Sequence, residues 1–344
     1  MDHEVTAVPR AQRPDPAGHA TIYDIARVAG VSPSTVSRAL NKPGRINATT
    51  EQRIREVAAD LGYRLNPVAR ALYTGQTSTF ALILSDITNP VYFELVRGAE
   101  TVGARENYTM VLAESQESGA READAAERLL PAVDGIALVS TRMPDEQIRH
   151  LAARKPLVVV NRRVDDVLSI VPDPRPGIEA AIEHLAALGH RSFAYLSGPR
   201  TSYMSQLRWE IAFECALAHG LSVVEIGPCE PTLAGGRAIK RRVLAAGVTS
   251  VLAYNDIIAI GLLLECRDSG MDLPGQLSIV GFDDSFGSDF TSPPLTTIRS
   301  PLRQAGELAV ERLLSLVRDE DHQHVDDLAT VLVQRGSTAA PMLT

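Results

Sequence analysis

Short hydrogen-bonding side chains and one cation share the polar side of the segment from Pro33 to Asn41. Val36 and Leu40 are spaced to face inward if this segment is a helix. Hydroxyl, amide and guanidinium groups hydrogen-bond base edges and phosphate oxygens. The segment therefore predicts a helix that reads nucleic acid, and a helical bundle with a merely solvated polar face is the alternative. The side chains on the polar side are Ser34, Thr35, Ser37, Arg38 and Asn41.

The flanking sequence carries signals that would position this helix. Ser32 and Pro33 combine an N-cap hydroxyl with a proline at the first helical position. Upstream, residues 21–29 place apolar side chains on one face at helical spacing, and Gly30 ends the run. Two short helices joined by a turn that contains glycine are typical of a helix-turn-helix, whose second helix enters the major groove of DNA.

A third helix is predicted downstream, because Thr49-Thr50-Glu51-Gln52 has the spacing of a capping box and Gly62 follows the last apolar position. The cap-then-proline signature recurs at Asn66-Pro67 and opens a segment of only about two turns. A helix of this length is too short to stand alone. Leu72 at its end has the character of a wedge between base steps of a minor groove.

The charge of the chain is distributed unevenly. Residues 21–76 carry eight Arg/Lys against four Asp/Glu, whereas residues 77–344 carry 24 against 35. The overall net charge of −8 therefore hides a basic module attached to an acidic one. This asymmetry is expected when one module alone contacts phosphate.

From Phe80 onward, short apolar runs alternate with amphipathic helical patterns. Such alternation predicts an α/β body with parallel sheets and helices on both faces. The alternation resumes after the proline-rich interruption 172–177, and two similar halves in series are typical of a two-lobed body of the periplasmic-binding-protein type, which closes around a ligand by a hinge. At 344 residues the chain is long enough for two or three domains.

The ends of the predicted strands indicate where a ligand would bind, because ligands of open α/β sheets lie outside the carboxyl ends of the strands. Polar residues follow several of these strands, so the predicted pocket is polar. They include Asp86, Ser140, Asn161, Ser202, Asn255 and Asp283.

The run TIYDIARVAGVSPSTVSRALN, with the later NPVARAL, resembles the headpiece and hinge helix of the lactose/galactose repressor family of bacterial transcription regulators. The chain from about Thr79 to Ser337 fits the same family. The resemblance implies an α/β protein with an all-α helix-turn-helix headpiece and a two-lobed periplasmic-binding-protein-like body. Its chain would cross between the lobes near 161–163, 287–293 and 325–329.

The resemblance implies the following domain organisation. A disordered tail covers 1–20, the helix-turn-helix domain 21–65, and the hinge helix with its linker 66–78. The effector-binding and dimerisation domain covers 79–337, followed by a tail at 338–344. Its N-lobe is placed at about 79–161 and 292–325, and its C-lobe at about 162–290 and 326–337.

Residues for DNA contact follow from the same resemblance. Arg38 is expected to carry the main base discrimination, at guanine, while Pro33 offers only an apolar contact and Ser34 a promiscuous hydrogen bond. Thr21, Tyr23, Asn41, Arg45 and Thr50 are interpreted as phosphate contacts. The full expected set is Thr21, Tyr23, Pro33, Ser34, Thr35, Ser37, Arg38, Asn41, Arg45, Thr50, Asn66, Ala69 and Leu72.

Residues for effector contact are also carried over. Arg208 and Asp283 match effector-contacting positions of the family, with a surface cation and a helix cap as the alternatives. Asn255 could equally be an N-cap, and Tyr92 and Phe93 could equally be core. The full expected set is Asp86, Tyr92, Phe93, Ser202, Arg208, Asn255 and Asp283.

Departures from the family pattern bear on the class of effector rather than on the fold. Pro174 follows Asp173 where relatives commonly have Asp-Asn. Asn161 stands where an aspartate often precedes Arg162, and Ala212 replaces a glycine.

Together these features predict a sequence-specific DNA-binding transcriptional regulator, interpreted as a repressor, that binds a near-palindromic operator as a homodimer. A small-molecule effector, a sugar or related metabolite, would bind between the lobes and control it. Dimer is favoured over tetramer because no long apolar heptad follows Val333. The alternative is a cytoplasmic sugar-binding receptor without regulatory DNA binding.

Other classes are disfavoured. The sequence contains no glycine-rich phosphate loop, serine elbow or metal-ligand cluster, so no enzyme, cofactor or metal is expected. Cys215, Cys229 and Cys266 have no paired spacing and are interpreted as inert thiols of a reducing compartment. Without a membrane span or an apolar signal region in residues 1–20, the protein is expected in the cytoplasm, associated with the nucleoid.

Overall fold

The computed structural model describes residues 20–41, 44–63, 75–320 and 328–342. Contacts within the chain divide it into two units, Met1–Thr77 and Ser78–Thr344, here called the headpiece and the body. The predicted contacts at Asn66, Ala69 and Leu72 lie outside the described residues, as does the side chain of Asn41.

The described part of the headpiece contains three helices: α1 (Ile22–Ala29), α2 (Pro33–Asn41) and α3 (Ala48–Asp60). Thr21 and Asp24 form a capping box at the start of α1, and Gly30 ends this helix in a left-handed conformation. The Ser32 hydroxyl accepts a hydrogen bond from the Thr35 amide at 3.2 Å, as its N-cap prediction requires.

The predicted capping box at Thr49 to Gln52 is wrong. The N-cap of α3 is Asn47, whose side-chain oxygen accepts from the Thr49 amide at 2.9 Å. Glu51 instead accepts from the Gly44 amide at 3.0 Å. Asn is a stronger N-cap than Thr, and Glu51 fixes the loop that precedes the helix.

The core of the headpiece is small and apolar. Val36 is fully buried as predicted, but its neighbour in the core is Ala39, and Leu40 is only partly buried. The remaining buried members come from α1 and α3, so together with Val36 and Ala39 of α2 each helix is held by the other two: Ile25, Ala26, Ala29, Ile54 and Ala58.

The first sheet of the body has five parallel strands in the order β2-β1-β3-β4-β5. Together with the helices packed on it, this sheet forms the N-lobe. Its strands are β1 (Thr79–Leu84), β2 (Thr109–Glu114), β3 (Gly135–Val139), β4 (Leu157–Val160) and β5 (Ser169–Ile170), and its helices are α4 (Tyr92–Arg105), α5 (Gly119–Leu129) and α6 (Asp145–Ala152).

The second sheet, which forms the C-lobe, has six strands in the order β11-β10-β9-β8-β6-β7. Strand β11 is antiparallel to β10, whereas the other pairs are parallel. The strands are β6 (Ser192–Leu196), β7 (Ser222–Ile226), β8 (Ser250–Ala253), β9 (Ser278–Asp283), β10 (Thr296–Arg299) and β11 (Val331–Val333).

The helices after the first sheet are α7 (Arg175–Ala187), α8 (Tyr203–Ala218), α9 (Leu233–Ala238), α10 (Lys240–Ala245), α11 (Asp256–Asp268) and α12 (Leu302–Arg318). Helices α9 and α10 are separated only by Ile239. The last helix returns to the N-lobe, because Ala309, Val310 and Leu313 belong to the core of the first sheet.

The first two lobe boundaries lie later in the chain than predicted. Strand β5, at 169–170, still belongs to the N-lobe, so the first crossing follows Ile170. Strand β10 still belongs to the C-lobe, so the second crossing follows Arg299. Both strands are short, and neither has enough residues to show a periodic pattern. Leu328 lies in the N-lobe core, just before β11 of the C-lobe.

Helices α4 and α12 approach each other closely because each has a glycine at the contact. A Cβ atom at Gly98 would lie 2.0 Å from the Arg303 carbonyl oxygen, and one at Gly306 would lie 2.1 Å from that of Leu95. Both oxygens belong to the backbone, so they cannot move aside as the end of a flexible side chain could. The two helices therefore depend on glycine at both positions.

Asp256, at the start of α11, joins three segments of the C-lobe from a buried position. Its carboxylate accepts hydrogen bonds from the Ser285 amide at 2.7 Å, the Ser285 hydroxyl at 3.1 Å and the Thr297 hydroxyl at 2.6 Å. Burial, together with the nearby charge of Asp283, raises the pKa of Asp256 to about 7, although these hydrogen bonds oppose the increase.

We predict that Gly98→Ala lowers the free energy of unfolding by about 1–3 kcal/mol, the usual cost of overpacking a filled interior. Urea denaturation measures the change. Glu100→Ala, at an exposed position of the same helix, is the matched control and should change stability by less than about 0.5 kcal/mol. Equal stability of the two variants would show that α4 and α12 do not pack as described.

A second prediction concerns pH. The folded pKa of Asp256, about 7, lies above the unfolded value of 3.8, so the folded state binds the extra proton between these values. The stabilising contribution is complete below the unfolded pKa and is lost as pH rises through the folded pKa. Denaturation at pH 5, 6.5 and 8 should show Asp256→Asn gaining stability relative to the unaltered protein as pH rises. A constant difference contradicts the assignment.

Candidate DNA-binding and effector sites

The polar face of α2 is accessible in the headpiece. Ser34 and Arg38 are exposed, and Thr35 and Ser37 are partly exposed. The Ser32 hydroxyl lies 2.9 Å from that of Ser34 and 2.8 Å from that of Thr35. This chain of hydroxyls orients Ser34 at the amino end of the helix, where recognition helices contact base edges.

Among the described residues of the headpiece, exposed arginines without an ion pair lie on this face, at Arg38, and away from it, at Arg45 and Arg53. Arg27 and Arg55 form ion pairs with carboxylates of their own helices. Within the described part of the headpiece, Arg38 and Arg45 form no ion pair, and both are exposed. Their charges are therefore available for phosphates or base edges.

The other predicted DNA contacts differ in the exposure and hydrogen bonding of their side chains. Tyr23 is exposed, and Thr50 is partly buried within α3. The Thr21 hydroxyl donates to the Asp24 carboxylate at 2.8 Å, so this proton serves the capping box. Pro33 is half-buried at the start of α2. The DNA contacts of these residues stay predictions.

In the body, the strand orders define a switch point in each lobe, where successive connections leave the sheet in opposite directions. The N-lobe switch point lies between β1 and β3, and the C-lobe one between β6 and β8. The residues that follow these strands include Ser85, Ser140, Ser197 and Tyr254. A ligand of the body is expected between these two sets.

Arg208 of α8 and Asp283 at the end of β9 form a buried ion pair. The guanidinium Nη2 atom lies 2.9 Å from the carboxylate, and the side chains are 8% and 6% exposed. The guanidinium carbon also lies 3.5 Å from the centre of the Phe282 ring. Arg208 is therefore not a surface cation, and Asp283 does not cap a helix.

The environment of this pair leaves hydrogen-bonding capacity unused. Burial raises the pKa of Asp283, although Arg208 and Ser300 act in the opposite direction. The Arg208 Nε atom is buried and has no hydrogen-bond partner among the described residues. A donor and an acceptor therefore lie side by side at the end of β9, which suits a ligand that carries hydroxyl groups.

Tyr254 is a further residue of this site, which the sequence interpretation missed. Its carbonyl oxygen accepts from Arg208 at 2.6 Å, and its hydroxyl lies 3.0 Å from that of Ser202. Its ring lies against Gly198, where a Cβ atom would come within 2.5 Å. The only signal in the sequence was an aromatic residue at the end of a strand, directly before Asn255.

The N-lobe side of the cleft contains a second buried arginine that was not predicted. Arg142 is held by Glu117 at 2.7 Å and donates to the Ser140 carbonyl oxygen at 2.8 Å. Glu117 and Ser140 both have positive φ angles, of 58° and 54°, a conformation that costs energy and is frequent at functional sites. These strained residues follow β2 and β3 at the cleft.

The two predicted aromatic residues have different environments. Tyr92 is buried in the N-lobe core, and its hydroxyl lies 2.7 Å from that of Ser85. Burial raises the pKa of Tyr92, and the neighbouring Tyr254 of the C-lobe contributes to the increase. Phe93 is exposed and lines a cavity of about 750 Å³ together with Asp283 and Ser300. This cavity contacts both lobes.

The remaining predicted effector residues make local hydrogen bonds. Asp86 accepts from the Thr88 amide and hydroxyl at 2.8 and 2.6 Å. The Asn255 side chain caps α11 by accepting from the Ile258 amide at 3.1 Å, and Ser202 caps α8. The structure thus brings Phe93 and Asp283 to one cavity, with Arg208 behind Asp283.

Other types of site were sought in the described residues. No group of three or more His, Cys, Asp or Glu residues there could hold a metal ion. No helix in the described ranges has the length and apolarity to cross a bilayer. The three cysteines are buried and unpaired, and burial raises the pKa of Cys229 and Cys266 to about 11.

Two family profiles match the chain. Residues 21–66 match the bacterial regulatory proteins of the lacI family, and residues 182–338 match the periplasmic binding protein-like domain. The first match covers the three helices of the headpiece, and the second covers most of the C-lobe.

Relatives match over nearly the whole chain. The transcriptional repressor PurR of Vibrio cholerae is 31% identical over 318 residues, which covers 88% of this chain and 93% of that protein. The transcriptional regulator GalR of Escherichia coli is 29% identical over 335 residues, which covers 94% and 97%.

Solved structures agree with these relatives. The Lac repressor dimer bound to operator and the anti-inducer ONPF superposes with a TM-score of 0.82 and 26% identity, over 94% of this chain and all of that chain. The complex of the regulator CelR with cellobiose gives a TM-score of 0.68 at 26% identity, over 93% and 100%. Headpiece, two-lobed body and relatives lead to one conclusion: the chain is a transcriptional regulator that belongs to the lacI family of bacterial regulatory proteins.

Proposed function

We propose that this protein represses transcription by binding a near-palindromic operator as a homodimer, under the control of a sugar or related metabolite bound between its lobes. The observation that carries the proposal is the accessible face of α2, with the unpaired Arg38 at its centre. We assign the protein no enzymatic activity and place its action in the cytoplasm, on the nucleoid.

The size of the headpiece supports the dimer. A single helix-turn-helix offers little surface for tight specific binding, and proteins of this class bind two half-sites as two-fold dimers. The Lac repressor, which superposes on this chain, was solved as a dimer on its operator. Two copies of the basic headpiece would each place α2 in a major groove.

The buried Arg208–Asp283 pair supports the effector site. Removing two charges from water costs several kcal/mol per ion, and attraction between them only partly offsets this cost. An apolar pair would fill the same space without that cost. The pair therefore has a use beyond stability, and the position of Asp283 on the wall of a cavity between the lobes favours ligand binding.

Effector and operator would be coupled through lobe closure. A ligand changes operator affinity only if it binds one conformation of the body more tightly than the other, and the effect is reciprocal. The sign of the coupling, induction or corepression, is to be read from operator binding with and without candidate metabolites.

For the headpiece we predict that Arg38→Ala removes sequence preference while weak binding to any duplex remains. Selection from a randomised duplex library would identify the preferred site, and competition against random DNA would measure preference. The loss of one bidentate contact to guanine is worth about 1–3 kcal/mol of discrimination.

Arg55→Ala is the matched control, because it removes the same charge from an exposed, ion-paired position on α3. It should leave the selected sequence unchanged. If Arg38→Ala selected the same sequence with the same preference, α2 would not be the reading helix.

For the body we predict that Asp283→Leu alone lowers the free energy of unfolding by about 3–5 kcal/mol, because it leaves the Arg208 charge buried without a partner. The double variant Arg208→Met with Asp283→Leu should recover most of this loss, since both positions are then apolar. Urea denaturation of both variants measures the recovery.

The double variant should also keep its operator preference yet lose every response to metabolites that the unaltered protein shows. A stable double variant with a full metabolite response would remove the pair from the effector site.

A further inference from the structure

One cavity of the body has a charged rim that the Arg208–Asp283 pair does not explain. This cavity, of about 750 Å³, lies among the first turns of α4, the amino end of α12 and the residues that follow β9. Its volume is within the range of small-molecule sites. The rim includes three arginines from three segments: Arg97, Arg299 and Arg303.

The three arginines share few carboxylates. Glu94 accepts from both Arg97, at 3.1 Å, and Arg303, at 2.8 Å. Asp284 likewise pairs with both Arg299, at 2.7 Å, and Arg335. Each of these carboxylates is therefore already shared between two guanidinium groups.

Most donors of these guanidinium groups are unused. Arg299 and Arg303 each bond their carboxylate through Nε alone, and within the described ranges their Nη atoms have no acceptor. A guanidinium group has five N–H donors in a planar fork that matches the oxygens of a phosphate or carboxylate. Two such forks are open at the rim.

The amino end of α12 adds positive potential at the same place. This helix has 17 residues, and its N-cap Pro301 offers no side-chain hydrogen bond. In the described part of the chain, the amides of Arg303 and Gln304 find no acceptor. Uncapped amides at the start of a helix favour a bound anion, and Ser300 to Gln304 line the cavity.

Carboxylates on the cavity wall oppose an anion and must be weighed. Asp283 is neutralised by Arg208, and Glu94 and Asp284 are each shared by two arginines. Among the described residues of the wall, Glu307 is the one carboxylate without an ion pair. The wall itself carries three arginines and four carboxylates, and Arg208 and Arg335, which pair with Asp283 and Asp284 from outside the wall, bring the count to five against four.

Two aromatic rings beside the arginines suit a sugar ring. Phe93 of the N-lobe and Phe286 of the C-lobe have ring centres 6.3 Å apart and are 45% and 68% exposed. Exposed aromatic faces next to polar groups are typical of surfaces that bind ligands with an apolar face and hydroxyl groups.

From this arrangement we infer that the effector is a phosphorylated sugar. Its phosphate contacts Arg299, Arg303 and the amino end of α12, with Arg97 beside them. Its ring lies near Phe93 and Asp283. The inference rests on the proposed effector control and narrows it to one chemical class.

The first experiment measures binding to the full-length protein by calorimetry at fixed ionic strength. The probes are glucose, fructose and ribose, the phosphorylated partners glucose 6-phosphate, fructose 6-phosphate and ribose 5-phosphate, the carboxylate glucuronate, and inorganic phosphate. We expect at least one sugar phosphate to bind ten times or more as tightly as its parent sugar, as glucuronate and as inorganic phosphate. If no sugar phosphate exceeds its parent, the inference is wrong. If inorganic phosphate or glucuronate binds as tightly, a sugar phosphate is not the ligand class.

The second experiment tests the residues. Arg299→Gln and Arg303→Gln should each weaken binding of the preferred sugar phosphate tenfold or more and leave the parent sugar unaffected. Arg318→Gln is the matched control, because it lies at the far end of α12 in an exposed ion pair with Glu106. Equal losses for all three variants, or none, would place the phosphate elsewhere.

Operator binding by the same preparation separates the two proposals. Specific duplex binding that responds to neutral sugars but not to sugar phosphates overturns this inference and leaves the proposed function intact. Failure to prefer any duplex overturns the proposed function itself.

Discussion

The body of the protein depends on one costly interaction, the buried pair of Arg208 and Asp283. It joins α8 to the end of β9, and the adjacent Tyr254 carbonyl oxygen fixes the guanidinium from a third segment. Since buried ions gain little net stability from pairing, these groups define the conformation of the cleft floor rather than strengthen the core. The nearby Asp256 has no cation partner among the described residues, and burial raises its pKa because this interior penalises charge. Arg208 and Asp283 keep their charges in this interior because each is paired with the other.

Charge also divides the protein at a larger scale. The headpiece is basic and the rest of the chain is acidic, so attraction to a duplex comes from the headpiece alone. A weakly basic domain of three helices has a small core and few phosphate contacts, and salt weakens such contacts steeply. Specific binding therefore requires two headpieces held together. In the proposed mechanism, the acidic body contributes by dimerising and by changing conformation.

Local signals and long-range contacts differ in how well the sequence predicts them. The bounds of α1 and α2 and the alternation of strands and helices were predictable, because caps, prolines and apolar spacing act within a few residues. The lobe boundaries were misplaced because β5 and β10 are defined by pairing with distant strands. Arg208 and Asp283 were singled out through a family pattern, and the structure places them in one buried ion pair. Arg142 was missed because only folding brings it to Glu117, 25 residues away.

The position of the arginine-rimmed cavity has a consequence for regulation. Its walls come from α4 and α12 of the N-lobe and from the residues after β9 in the C-lobe, and the chain crosses between the lobes directly before α12. A ligand held by both walls makes its full set of contacts only when the lobes are close. Its affinity for the closed body therefore exceeds that for an open one, which is the condition for a population shift. A phosphate bound by Arg299 and Arg303 would connect the end of β10 in the C-lobe to the first turn of α12 in the N-lobe. The charge interaction that gives the ligand its affinity would then also depend on lobe closure.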